Sequence, residues 1–503
     1  MASVVERTRP CRRNPKPTFY RMSALPELPI LRQGQPYASL DVSEICHVAT
    51  GVPVIRVSQA NSGLVAREFM HTGAARAALL RIPTLERVEM VKRAGQIFLE
   101  DTLPIGLGGQ SQTPEDYVRQ LSSTSGLPYS LIRMNMQRLA AVFGQIEIIL
   151  RGLTRGLDLT VLDRGYGSQG GAPVSFGCVT DNLAVILPSN SPAVNALWIP
   201  SLALGVPVIL KPGREEPWTP WRILEAMIKA GFPREAFSFI PTGHDGSAVM
   251  IRKAGRVMMF GDDATVAQYA ADPRVEVHGS GRSKILIGED QIERWRDFLP
   301  VMVESVSANS GRSCINTSAI LVPRYAREIA EAIAGELLGM VPRAADDEAA
   351  RLSGFANPAM TEWIDGAITE GLESPGAVDV SAALRGGSPR AVSRDGMNYL
   401  LPTLVHCRDF SQALANREFL FPYASVTEMA QADMLDQIGP SLVVTAITED
   451  QDWIQELLVC PHIDRLNVGP MPTNRVQWDQ PHEGNLFEFL YRRRSIGLPQ
   501  HAS

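Results

Sequence analysis

Cys314 closes the segment Asn309-Ser310-Gly311-Arg312-Ser313-Cys314 and stands just ahead of the apolar run Ala319-Ile320-Leu321-Val322. Small residues on the approach and a buried strand behind would present a thiol to a ligand from a rigid support. The thiolate is the reactive form and a free thiol titrates near ~8.5, so such a site must lower that value or remove the proton as a substrate arrives. A lone cysteine is otherwise a small buried hydrophobe. Four further places have chemistry-bearing residues directly after short apolar runs: Asn190, Lys211, Thr242-Gly243 and Gly261.

Those runs lie at 183–187, 206–210, 237–240, 257–260 and 285–287, with helical stretches between them at 193–204, 219–230, 245–254 and 264–272. Short buried strands alternating with longer helices predict an α/β fold with a doubly wound parallel sheet. Ligands of such sheets bind outside the carboxyl ends of the strands, which is where Asn190, Lys211, Gly243 and Gly261 stand. Residues 60–160 read mostly as helix, and a second α/β region is expected from about 290 to 465, with Cys314 near its start. Two β-prone stretches, 157–180 and 487–496, read as strands that leave the main body and could pair across a subunit boundary.

The net charge of −6 implies no extended basic face and argues against a nucleic-acid partner. No apolar run approaches the roughly 18–20 residues that a membrane helix needs. Six cysteines without a CxxC pair and eight histidines without an HExxH spacing suggest neither a metal site nor a disulfide framework, so a cytoplasmic location is expected. Residues 1–21 are basic and Pro-containing without an apolar core, and 1–30 is read as a disordered or extraneous arm.

With these residues in view, the chain resembles the aldehyde dehydrogenase superfamily over roughly 60–496. The signposts, in the family's order, are Leu187-Pro188-Ser189-Asn190-Ser191-Pro192, Val208-Ile209-Leu210-Lys211-Pro212, Gly231-Phe232-Pro233, Phe260-Gly261, Asn309-x-Gly311-x-x-Cys314, Leu401-Pro402-Thr403 and Arg417-Glu418-Phe419-Leu420-Phe421-Pro422. The resemblance implies a Rossmann-type NAD(P)-binding domain (31–156 and 181–288), a catalytic domain (289–470) and a small β oligomerisation element (157–180 and 485–498). It implies that Cys314 attacks an aldehyde, forming a thiohemiacetal whose hydride passes to a nicotinamide and leaves a thioester. Asn190 would donate to the oxyanion, although an Asn there also suits a turn or a helix cap. Lys211 would reach the adenosine ribose, Gly243 and Gly261 would line the cofactor path, and Glu418 would hold the nicotinamide ribose. Arg214 stands where the family often has an acceptor for the ribose 2′-hydroxyl. A guanidinium suits a 2′-phosphate, which favours NADP over NAD unless Glu215 or Glu216 restores the acceptor.

One departure matters. Hydrolytic relatives end a strand in Glu-Leu-Gly-Gly-Lys, whose Glu activates water, whereas this chain reads His278-Gly279-Ser280-Gly281-Arg282. The Gly-x-Gly form resembles members that pass the acyl group to coenzyme A, so acyl transfer to coenzyme A, or acyl-CoA reduction in reverse, is the favoured expectation. Hydrolysis with His278 or a relocated carboxylate as base is the second, with Glu276 on the same strand face. The third is an impaired enzyme or a non-catalytic binding protein on the same fold.

Overall fold

In the computed structural model, residues 25–497 are described. Two seven-stranded sheets organise the chain. In the first, the strands Val275–His278, Arg256–Phe260, Leu183–Ile186, Val208–Lys211 and Phe237–Phe239 lie side by side and parallel, and Ile30–Arg32 and Gln35–Tyr37 extend the edge antiparallel. Helices Trp218–Lys229 and His244–Lys253 connect its strands. Near-continuous apolar burial, as at Leu183, Ala184 and Val185, is what a sheet covered on both faces demands.

In the second sheet the order is Ala377–Asp379, Thr403–Cys407, Tyr423–Glu428, Thr317–Val322, Ser283–Ile287, Ser441–Ile447 and Ile463–Val468. All neighbours are parallel except the Ala377–Asp379 edge. Thr317–Val322 is buried at every position, so the element behind Cys314 is the rigid backing that its apolar run predicts. A third sheet is antiparallel, with Ala172–Cys178 between Tyr491–Arg494 and Tyr166–Gln169.

Several boundaries differ from expectation. Residues 1–24 lie outside the described residues, but the rest of the expected arm belongs to the fold. Glu27–Leu28 pairs with Pro53–Ser58, and Leu28 and Ile30 are fully buried. The 285–287 run is a strand of the second sheet, and the strand that completes the first alternation is Val275–His278. Val275–His278 escapes an apolar-run reading because only Val275 of the four is buried, whereas Ser283–Ile287 is buried throughout. The 487–496 strand is half helix: Asn485 caps Leu486–Leu490, and Leu486, Phe487 and Leu490 are buried at helical spacing. Only Tyr491–Arg494 is extended, and it pairs with Ala172–Cys178 inside the same chain.

Candidate active site

The carboxyl ends of the first sheet meet the second sheet at a turn, 279–282, that ties several expected site residues together. The Cα of Gly281 lies so close to the Cys314 carbonyl that a Cβ would stand 2.0 Å from that oxygen, which requires glycine. Ser283 Oγ donates to the same carbonyl at 2.9 Å, and the Leu442 N–H donates to the Gly281 carbonyl at 2.8 Å. The Arg282 N–H donates to Glu418 Oε2 at 2.6 Å, and Lys284 Nζ donates to the Arg282 carbonyl at 2.7 Å and to Ser441 Oγ at 2.8 Å. Glu418 is therefore turned onto the backbone of this turn, and burial pushes its carboxyl up to about 8. Lys284 is wholly buried, which pushes its amine down to about 7.

The nucleophile loop is fixed from the other side. Asn309 and Ser310 adopt left-handed backbone, with φ of 51° and 59°. The Asn309 amide donates to Ser191 Oγ and Ser313 Oγ and accepts from Asn135. Asn190 Nδ2 donates to the Arg312 carbonyl at 2.9 Å, which places this residue beside the Cys314 loop; its Oδ1 is buried without a partner.

The Cys314 thiol donates to Glu483 Oε1 at 3.1 Å, and the other carboxylate oxygen lies 2.9 Å from His278 Nδ1. The His278 ring stacks on Phe260, centroids 4.7 Å apart, from the neighbouring strand position. Side chains of His278 and Glu483 are each 7% exposed. Burial alone would push Glu483 up, but the hydrogen bond from His278 and the adjacent imidazoles hold it down to about 2. Burial opposes protonation of His278 too, yet the bond and charge of Glu483, with Glu276 behind, raise it above its ordinary value. Burial and then the Glu483 charge hold the Cys314 thiol well above the usual range, so the resting sulfur is protonated and its proton needs an acceptor.

Glu483 is absent from the residues singled out in the sequence. It lies 169 positions from Cys314, in a stretch without regular secondary structure.

The residues expected to hold a dinucleotide divide. Lys211 ends its strand half-buried, its amine pushed down by burial while Glu215 opposes that shift. Gly243 begins the His244–Lys253 helix with no side-chain cap, and the space where its Cβ would stand is open. An uncapped helix start with open space over it is a fitting anion site, and the exposed Arg214 adds a cation next to Lys211. Glu216 cannot serve a ribose hydroxyl, because it is buried and accepts from the Thr219 N–H at 2.9 Å. Gly261 differs from expectation. The short helix after it begins with two carboxylates, Asp262 accepting from the Thr265 N–H and Asp263 paired with Arg282, so the helix start is already capped and faces negative charge. The donors at Lys211, Arg214 and Gly243 thus fit a dinucleotide. Among the described residues no cluster of metal-ligating side chains occurs, and no helix is long and apolar enough to cross a membrane.

Two parallel sheets joined through a half-buried cysteine define a class of α/β protein that solved structures share. A Pseudomonas aeruginosa aldehyde dehydrogenase superposes with a TM-score of 0.76 at 15% identity over 93% of this chain and 95% of that one. Indole-3-acetaldehyde dehydrogenase complexed with NAD+ superposes with a TM-score of 0.71 at 16% identity over 93% and 96%. The family model for the aldehyde dehydrogenase family matches residues 38–438, and the chain belongs to that family. Aminoacetaldehyde dehydrogenase of Pseudomonas aeruginosa is 26% identical over 267 residues, 50% of this chain and 51% of that protein. The chain thus matches about half the length of such curated relatives.

Proposed function

We propose that this protein oxidises a small aldehyde with NAD(P)+ through a thioester on Cys314, and that Glu483 and His278 supply the base. The observation that carries this reading is the line Cys314 Sγ, Glu483 carboxylate, His278 Nδ1, with contacts of 3.1 and 2.9 Å. Glu483 takes the thiol proton as the sulfur attacks the carbonyl. Asn190, bonded to Arg312, has a second amide hydrogen for the developing oxyanion, alongside the Cys314 N–H. A bound nicotinamide supplies the hydride acceptor; Lys211, Arg214 and Gly243 would hold its adenosine end, and Arg214 favours NADP. Glu418 and Arg282 hold the turn beneath the reacting carbon.

For the acyl acceptor we propose water. Part of the case for coenzyme A is the missing carboxylate at position 278, and Glu483 brings one to the sulfur from another element. A carboxylate–imidazole pair beside a thioester serves water activation. The Gly279-Ser280-Gly281 turn is the feature that speaks for coenzyme A. Product analysis separates the two: free acid at full rate without coenzyme A supports water, and turnover that requires coenzyme A and yields acyl-CoA overturns it. The third sheet is the surface through which a homodimer or homotetramer would form.

A further inference from the structure

Glu276 lies two residues before His278 on the Val275–His278 strand, so both side chains issue from one face. Its carboxylate lies against the backbone of residue 484, where a Cβ on Gly484 would stand 2.0 Å from Oε1. Glu276 Oε2 and His278 Nε2 are both buried and without a hydrogen-bond partner. Two unsatisfied buried polar atoms of complementary type, on one strand face and beside one loop, are costly unless they serve each other.

We propose that Glu276 is a positioning residue that acts on His278 at Nε2 and sets the ring's tautomer so that Nδ1 can take the proton that Glu483 receives from Cys314. This rests on the reading of Cys314 as nucleophile. An ionised Glu483 beside Nδ1 would by itself hold the neutral ring as Nδ1–H, and that form has no lone pair on the Glu483 side. A second carboxylate at Nε2 brings the Nε2–H form to comparable energy and gives the imidazolium a partner on each side. The transfer then balances. The S–H bond breaks and an O–H bond forms on Glu483, the carboxyl rotates, and the O–H bond breaks as an N–H bond forms at Nδ1. Thiolate and imidazolium remain, and Glu483 is ionised again.

The other charged groups facing this line do not replace Glu276. His482, pushed down to about 4 by burial, is neutral and bonded to Arg465. Arg465 faces Cys314 and Glu483, Asp464 faces Glu483, and Glu418 faces Cys314 while held on Arg282. The charges that raise His278 are those of Glu483 and Glu276.

The test is the pH dependence of Cys314 alkylation by iodoacetamide in the full-length protein, with the Cys314→Ala protein subtracting the other thiols. The rate should rise with pH as the ring loses its proton, above the ordinary histidine value. In Glu276→Gln that rise should move to lower pH, because one carboxylate is lost, and the plateau should fall about tenfold; Glu276→Asp should restore much of it. A Glu276→Gln profile that superimposes on the wild type, or a lower plateau with the rise unmoved, overturns the proposal. Nitrogen NMR of the His278 ring in the unaltered protein needs no variant: a populated Nε2–H form is expected, and a ring wholly in the Nδ1–H form overturns it. Alkylation requires neither aldehyde nor nicotinamide, so failure of the aldehyde reading would show separately, as no NAD(P)H burst.

Discussion

A thiol held high by burial and by a neighbouring carboxylate is inert until its proton leaves, and this makes Glu483 and Cys314 a single chemical unit. Replacing Glu483 by Gln should lower turnover by roughly 10²-fold, the scale of general-base loss, and a rate within twofold of wild type would sink the assignment. The same variant has a thermodynamic signature. His278 is raised in the folded state, so its share of stability is full below the unfolded value near ~6.5 and is lost as pH rises through the folded value. Glu483 is depressed, so its share is present above the unfolded value near ~4.3 and fades as pH falls towards about 2. Wild type should therefore exceed Glu483→Gln in thermal midpoint most clearly between about pH 4.3 and 6.5, with the gap narrowing above the His278 value. Cys314, Asn190 and His278 were legible from motif spacing because each lies next to a strand in sequence, Cys314 just ahead of one and the other two at or after a strand end. Glu483 was not, because nothing local distinguishes a carboxylate that crosses 169 residues to reach a sulfur.

At the scale of elements, the segment that carries Glu483 depends on Gly484, whose φ of +79° places it in the left-handed region. An alanine there costs about 1–2 kcal/mol in backbone strain, and its Cβ would stand 2.0 Å from the Glu276 carboxylate. Gly484→Ala should therefore lose activity more than tenfold at a modest cost in stability. Activity close to wild type would mean that the segment tolerates displacement and that neither carboxylate is held by it. The strand elements were legible as apolar runs, but which sheet each joins was not. The 285–287 run resembles its predecessors in composition, and only its pairing with Thr317–Val322 and Ser441–Ile447 assigns it to the second sheet. The helix at Leu486–Leu490 was missed for a related reason. An aromatic-rich stretch reads as strand by propensity, yet the Asn485 cap and burial at helical spacing decide otherwise.

Across the whole molecule, the site exists because one segment joins all three sheets. The chain leaves the second sheet at Val468, delivers Glu483 to the junction, and returns to the third sheet at Tyr491. Beyond Glu483 it is anchored to the first half of the chain. Asn485 Nδ2 donates to the Leu153 carbonyl at 3.0 Å, Arg256 donates to the Phe489 carbonyl at 2.8 Å, and Tyr491 Oη donates to the Leu204 carbonyl at 2.6 Å. Alternating apolar runs and helical stretches made the parallel sheet legible, but this strap depends on contacts between residues hundreds of positions apart, which no periodicity encodes. Tyr491→Phe tests it. The ring and its packing on Phe487 are kept, while the buried Leu204 carbonyl loses its donor at a cost of about 1–3 kcal/mol. The denaturant midpoint should fall with little change in its slope, and turnover should fall with it, because Glu483 hangs on the loosened strap. A lower midpoint with undiminished turnover would show that Glu483 is positioned by His278 alone.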